Sequence, residues 1–210
     1  MQIEIYSDVV CPWCFIGKRR LERALDQLNG AAQARITWRP FQLNPTMLKD
    51  GMDRTTYLEA KFGSLDAFHQ MEEHVLAAGA AERILFAFEK VARTPNTFMA
   101  HRLIWYAEQQ GRQDAVVESL FRGYFTEGAD IGSGPVLTQL AGHAGLDDSA
   151  VESFLQREQG TTEVKAEEAI GHRIGIRGVP YFVINDSISI SGAQPPDIFV
   201  SAIRQAKKES

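Results

Sequence analysis

The sequence predicts an α/β protein: a four-stranded mixed sheet with helices on both faces, interrupted by an inserted all-helical domain. Three observations carry this. Extended apolar stretches fall near the two ends of the 210-residue chain. Between about residues 47 and 159 the apolar residues recur mostly at helical spacing. A β-α-β order at the start is answered by an α-β-β-α order at the end, and neither half has enough strands alone. The expected boundaries are 1–45 plus 160–210 for the sheet domain and 46–159 for the insertion.

The elements follow in order. Residues 3–6 read as a strand, and a helix runs from Cys11 to about Leu28. Its Cys14, Leu21, Leu25 and Leu28 share one face, leaving Lys18, Arg19, Arg20, Glu22 and Arg23 mostly toward water. Asn29-Gly30 is a C-terminal stop. A second strand over 34–39 completes β-α-β, which favours a parallel crossover. Pro40-Phe41-Gln42-Leu43-Asn44-Pro45 ends it.

In the insertion, Thr55-Thr56 caps a short helix and another spans 64–78. Residues 84–91 are ambiguous, because Ile84, Phe86 and Phe88 alternate as in a strand. Thr94-Pro95-Asn96-Thr97 supplies turn and cap chemistry for a helix over 98–110, and further helices follow at 113–125, 136–144, 149–156 and 162–174. After Gly178-Val179-Pro180, strands over 181–184 and 188–190 flank a tight turn, and Pro195-Pro196-Asp197 opens a last helix that frays beyond Lys207.

Composition narrows the function. Hydrophobic residues make up 44% of the chain and charged residues 23%, which suits a folded core rather than disorder. A net charge of −5 argues against a nucleic-acid partner, which would need a basic face. There is no signal-like N-terminal run and no stretch of about 18 apolar residues. The expected compartment is therefore cytoplasmic and reducing. The sequon Asn185-Asp186-Ser187 has no meaning without secretion. The glycine clusters at 132–134 and 171–178 lack a phosphate-binding fingerprint.

The chemistry gathers at Cys11-Pro12-Trp13-Cys14, which holds both cysteines of the chain. Two cysteines cannot form a disulfide scaffold. Spaced C-x-x-C at the first turn of a helix, they can close and open a disulfide. A thiolate on Cys11 would sit beside unpaired N–H groups and the positive end of the helix dipole. Such surroundings lower a thiol pKa from about 8.5, and only the thiolate attacks. Cys11 is the expected nucleophile and the more exposed thiol. Cys14, buried one turn inward, is expected to resolve the mixed disulfide. Two other readings stay open. The cysteines could be inert, or half of a zinc site, although a structural zinc needs four ligands and no second C-x-x-C is present. His69 and His74 fit the spacing formally but point to different helix faces.

Larger motifs surround the dithiol: Ser7-Asp8-x-x-Cys11-Pro12-Trp13-Cys14, Pro40 to Pro45, Thr94-Pro95-Asn96-Thr97-x-x-Ala100-His101-Arg102-Leu103, and Gly178-Val179-Pro180-Tyr181-Phe182. Across essentially the whole chain this resembles the thioredoxin fold with a helical insertion, as in DsbA-family thiol–disulfide oxidoreductases, and most of all their FrnE-like branch. The resemblance implies a cis bond before Pro180, in a loop facing the dithiol. It implies that Val179 pairs through its backbone with an extended substrate, and that Pro12 and Trp13 shape the substrate surface. Trp13 brings no cation beside Cys11, so the expected reduction potential lies loosely between thioredoxin and DsbA, roughly −270 to −120 mV. His101 either lines the groove and moves a proton, or is a helix histidine packed between Phe98 and Trp105.

The sequence departs from the resemblance at one point. Many relatives bury an acid on the first strand beneath the second cysteine. Ile5 stands there, Glu4 points to the other face, and Asp8 is the nearest substitute. Arg39, Glu89 and Arg93 are expected on solvated faces.

The expected activity is oxidoreduction or isomerisation of protein or peptide disulfides. No bound metal or prosthetic group is expected, and recycling is by thioredoxin or glutathione. The same superfamily suggests a rival, a glutathione-dependent transferase or 2-hydroxychromene-2-carboxylate isomerase-like enzyme, whose members typically carry serine at position 11. A second rival is a redox-latched binding module.

Overall fold

The computed structural model describes residues 1–28 and 34–208, with 65–67 described by backbone alone. The expected stop at Asn29-Gly30 lies outside the described residues. The chain divides into two compact units, Met1–Leu43 with Lys165–Ser210, and Asn44–Val164.

In the first unit, strand β1 (Gln2–Ser7) leads into helix α1 (Pro12–Gln27) and then strand β2 (Arg35–Pro40). Strands β5 (Tyr181–Ile184) and β6 (Ile188–Ser191) and helix α9 (Pro196–Ala206) complete it. The sheet order is β2-β1-β5-β6, with β1 parallel to β2 and the other pairs antiparallel. This is the mixed four-stranded sheet that the end-to-end pattern predicts. Asn185 and Asp186 take positive φ values of 48° and 55° in the turn closed by Ser187 N–H on the Ile184 carbonyl, 3.2 Å. That twist suits a two-stranded hairpin, and Asn and Asp tolerate it.

Strand alternation sorts the side chains between two faces. Ile3, Ile5 and Phe182 lie on the face covered by α1 and α9, where Phe182 meets Phe199 edge-on at 4.7 Å. Tyr6, Tyr181 and Val183 lie on the other face and pack with Phe41 and Ile176. Here the backbone of Gly171 lets Tyr6 approach: a Cβ would come within 2.9 Å of its ring. Gly171 belongs to helix α8 (Thr161–Arg173), within which the boundary between the units falls.

The second unit holds helices α2 (Arg54–Phe62), α3 (Leu65–Ala81), α4 (Phe98–Gln109), α5 (Gln113–Arg122), α6 (Gly134–His143) and α7 (Asp148–Leu155). A π-helical turn, Gly123–Glu127, extends α5. Its core includes Leu103, Val116, Leu120, Phe121, Phe125, Leu137 and Val151. A two-residue antiparallel ladder, β3 (Met52–Asp53) with β4 (Arg93–Thr94), adds to the expected helices. Two residues are too few to show a period in sequence.

The ambiguous stretch at 84–91 forms no strand. It is a loop ending in a 3₁₀ turn, Phe88–Lys90. Its alternation reflects aromatic packing, since Phe86 stacks on Phe88 at 4.9 Å and both meet Phe125 edge-on. The cap of α2 is Asp53, whose carboxylate accepts from Thr56 N at 2.9 Å, rather than the threonines themselves. Asn96 does cap α4, accepting from Phe98 N at 2.9 Å.

Two charged residues are placed differently from expectation. Lys18 is buried in α1 and pairs with Glu22 one turn on. Arg39, expected on a solvated face, spans two carboxylates: Nη2 lies 2.7 Å from Glu4 and Nη1 3.0 Å from Glu167. Arg93 is exposed as expected, and its guanidinium donates to the Asp50 carbonyl. Glu89 is exposed as expected. Among the described residues no helix is long and apolar enough to cross a membrane.

Candidate active site

The turn joining β1 to α1 sets the site. Cys11 N donates to the Asp8 carbonyl at 3.0 Å, and Cys14 N to the Cys11 carbonyl at 3.0 Å. Cys11 is the N-cap, with extended backbone at φ −94°, ψ 110°, and Pro12 occupies the first helical position. A proline is tolerated there because that N–H has no partner within the helix. The first cysteine therefore stands at the positive end of a sixteen-residue helix.

Across from it runs the 179–180 loop. The Val179–Pro180 peptide is cis. The thiol of Cys11 donates to the Val179 carbonyl oxygen, Sγ to O 3.5 Å. Pro180 in turn sits against α1 at Gly17, where a Cβ would lie 3.1 Å from both Pro180 Cγ and Phe182 Cζ. Gly17 is thus the residue that lets the helix approach the proline loop. The loop is held from behind by Gly192 N on the Pro180 carbonyl, 2.8 Å.

Both cysteines are free thiols. Cys11, expected to be the more exposed thiol, is so only narrowly at 4% accessible, and Cys14 is fully buried. Burial pushes the Cys14 thiol well above the usual thiol range, and a hydrogen bond to the Cys11 sulfur adds to this. The Ser7 hydroxyl and the Asp8 backbone N–H pull the other way. Cys14 therefore holds its proton.

One carboxylate oxygen of Asp8, the expected substitute for a buried acid, is held by the main chain: Oδ2 accepts from Leu43 N at 2.7 Å, while Glu168 Oε1 accepts from Gln42 N at 2.7 Å. The main-chain N–H of Asp8 reaches Cys14. Ile5 is buried and apolar, and Glu4 is on the opposite face with Arg39, as the sequence predicts.

Of the sequence-predicted residues, Cys11, Cys14, Val179 and Pro180 come together. Pro12 and Trp13 are half-buried at the start of α1. His101 belongs to the second unit, where it is buried in α4. Its neighbour Arg102, quoted in a motif but given no role, is a structural clamp. It donates to the carbonyls of Arg157 and Gln159 beyond α7, the latter at 2.9 and 3.0 Å, and lies over the Phe154 ring at 5.2 Å.

The comparisons agree with this geometry. A DSBA-like thioredoxin domain model matches residues 2–204. The uncharacterized protein YwbO of Bacillus subtilis is 28% identical over 212 residues, covering 100% of this chain and 98% of its own length. A probable DsbA oxidoreductase from Streptomyces coelicolor has a crystal structure that superposes with a TM-score of 0.92 at 34% identity, covering 100% of this chain and 91% of that one. A 2-hydroxychromene-2-carboxylate isomerase superposes at 0.76 over 100% of this chain and 97% of its own, but at 15% identity it shares the fold alone. With a cysteine pair at the mouth of α1, a cis proline loop against it and a match across nearly its whole length, the chain belongs to the DSBA-like thioredoxin domain family.

Proposed function

We propose that the protein is a thiol–disulfide oxidoreductase acting on protein or peptide disulfides through Cys11 and Cys14. One observation carries the reading. Cys11 Sγ stands at a helix N-terminus, 3.5 Å from the Val179 carbonyl, with a second thiol buried one turn behind it.

The chemistry follows from that placement. The Cys11 thiolate attacks one sulfur of a substrate disulfide, and the other sulfur leaves as a thiol. Cys14 then attacks Cys11, closes the internal disulfide and releases the second substrate thiol. An extended substrate segment pairs with the backbone of Val179, freeing the Cys11 thiol from that carbonyl, while Pro12 and Trp13 border the contact. We place the protein in the cytoplasm, where a low-molecular-weight thiol or a thioredoxin-type donor returns the dithiol. Fold likeness to the isomerase does not separate the two enzymatic readings. Two cysteines at 11 and 14 favour dithiol exchange.

Insulin reduction by dithiothreitol tests this. The wild-type protein accelerates it, and Cys11→Ser returns the rate to that of dithiothreitol alone. Unchanged acceleration by Cys11→Ser contradicts the reading.

A further inference from the structure

We infer that Ser7 is a catalytic residue of the resolving step, its hydroxyl donating a hydrogen bond to the Cys14 sulfur as that sulfur attacks Cys11. The inference rests on the oxidoreductase reading and assigns a part of it that the dithiol motif leaves open.

Strand geometry places Ser7. Residues 3, 5 and 7 of β1 point to one face of the sheet. Ile3 and Ile5 are 0% and 1% accessible, and Ile5 pairs in register with Phe182, which α1 and α9 cover. Ser7, 5% accessible, is the next side chain on that face and the last residue of the strand. Five residues on, Pro12 begins α1, whose first turn carries Cys14 fully buried.

The Ser7 hydroxyl is itself buried and makes no hydrogen bond among the described residues. A buried hydroxyl without a partner costs free energy, so the group that it faces matters. On this face of the sheet lies the first turn of α1 with the buried Cys14, whose thiol pKa the Ser7 hydroxyl and the Asp8 main-chain N–H both lower. Two neutral donors thus converge on a sulfur that must carry negative charge to attack. At the strand position beneath Cys14 the side chain is Ile5, which supplies no acid.

The step balances. A bond forms between the Cys14 and Cys11 sulfurs, and the bond from Cys11 to the substrate sulfur breaks. The electron pair leaves on the substrate sulfur, which takes up the proton that Cys14 gave up. Ser7 keeps its own proton throughout. It makes its hydrogen bond only while Cys14 is charged, so its effect falls on resolution and not on the first attack.

The test mixes reduced protein with oxidised glutathione, quenches with acid and resolves by mass the Cys11–glutathione adduct and the internal disulfide. Ser7→Ala forms the adduct at the wild-type rate. Its adduct decays about tenfold more slowly at pH 7, the weight of one hydrogen bond to a charged acceptor. The pH at which decay is half-maximal rises by about one unit. Ser7→Thr restores both. Should Ser7→Ala fold poorly, Ser7→Thr and Ser7→Val, matched in volume, decide the matter: the hydroxyl variant must resolve faster. Equal decay rates and an unmoved pH midpoint overturn the role of Ser7 while leaving the oxidoreductase intact. If wild type forms no adduct, the oxidoreductase reading falls, and this one with it.

Discussion

Cys14 shows what burial does to a single thiol. It is fully enclosed, its proton is held by desolvation and by the Cys11 sulfur, and its pKa is raised well above the ordinary thiol value. A raised folded pKa gives the native state an advantage that is complete below the unfolded value, near 8.5. That advantage is lost as pH rises from there toward the folded value, because the unfolded chain gives up the proton first. Urea unfolding of the reduced protein should therefore weaken between pH 8 and 10 more steeply than that of Cys14→Ala, by at most about 1.4 kcal/mol per pH unit. Parallel slopes would contradict the account. The two cysteines and Pro180 were legible in sequence because C-x-x-C and Val-Pro are contiguous patterns whose chemistry depends little on context. Ser7 was not, because its role depends on which face of β1 meets the first turn of α1, a tertiary fact. The near-complete burial of Cys11 was equally hidden, since position at a helix mouth says nothing of what lies over it.

At the level of elements, the dithiol helix is positioned by a glycine. At Gly17, α1 presses on Phe182 and Pro180 so closely that an added Cβ would meet both at 3.1 Å. A larger side chain must push the helix away from the proline loop and stretch the contact between Cys11 and Val179. Gly17→Leu is expected to cost about 1–3 kcal/mol of stability, the usual range for overpacking. It should also slow insulin reduction more than a distant mutation of equal cost. Chemical denaturation beside the activity assay checks both, and full activity in a destabilised Gly17→Leu would contradict the positioning role. Helical periodicity was the most readable signal, and α4 through α8 begin and end within about three residues of expectation, leaving the π-helical turn aside. What periodicity could not supply were the β3–β4 ladder, the true cap at Asp53 and the aromatic stack that mimics a strand at 84–88. Lys18 misled for a related reason. A lysine on a helix usually reads as solvent-facing, yet its stem can be buried while its ammonium finds a carboxylate, here Glu22.

Across the whole molecule, the first unit is assembled from the two ends of the chain, so contacts between distant residues must hold it. Arg39 on β2 makes one such set. It joins Glu4 on β1 to Glu167 on α8, 128 residues away, from a side chain 25% accessible. Removing it leaves two carboxylates facing each other without a cation. Arg39→Ala should cost about 1–2 kcal/mol in urea unfolding at low salt, after allowance for partial exposure. The difference should shrink in 1 M salt, where screening acts within about 3 Å. No loss at low salt would contradict the role. The four-stranded mixed sheet was readable at this scale from the answering patterns at the two ends. The fate of Arg39 was not, because its two partners, Glu4 and Glu167, lie in stretches far from it and from each other in sequence.

The central claim is that Cys11 attacks and Cys14 resolves. Incubation with a disulfide-bonded peptide, followed by non-reducing mass analysis of Cys14→Ala and Cys11→Ser, tests it most directly. The account predicts a stable covalent adduct mapped to Cys11 in Cys14→Ala and none in Cys11→Ser. An adduct mapped to Cys14, or no adduct in either variant, would contradict it.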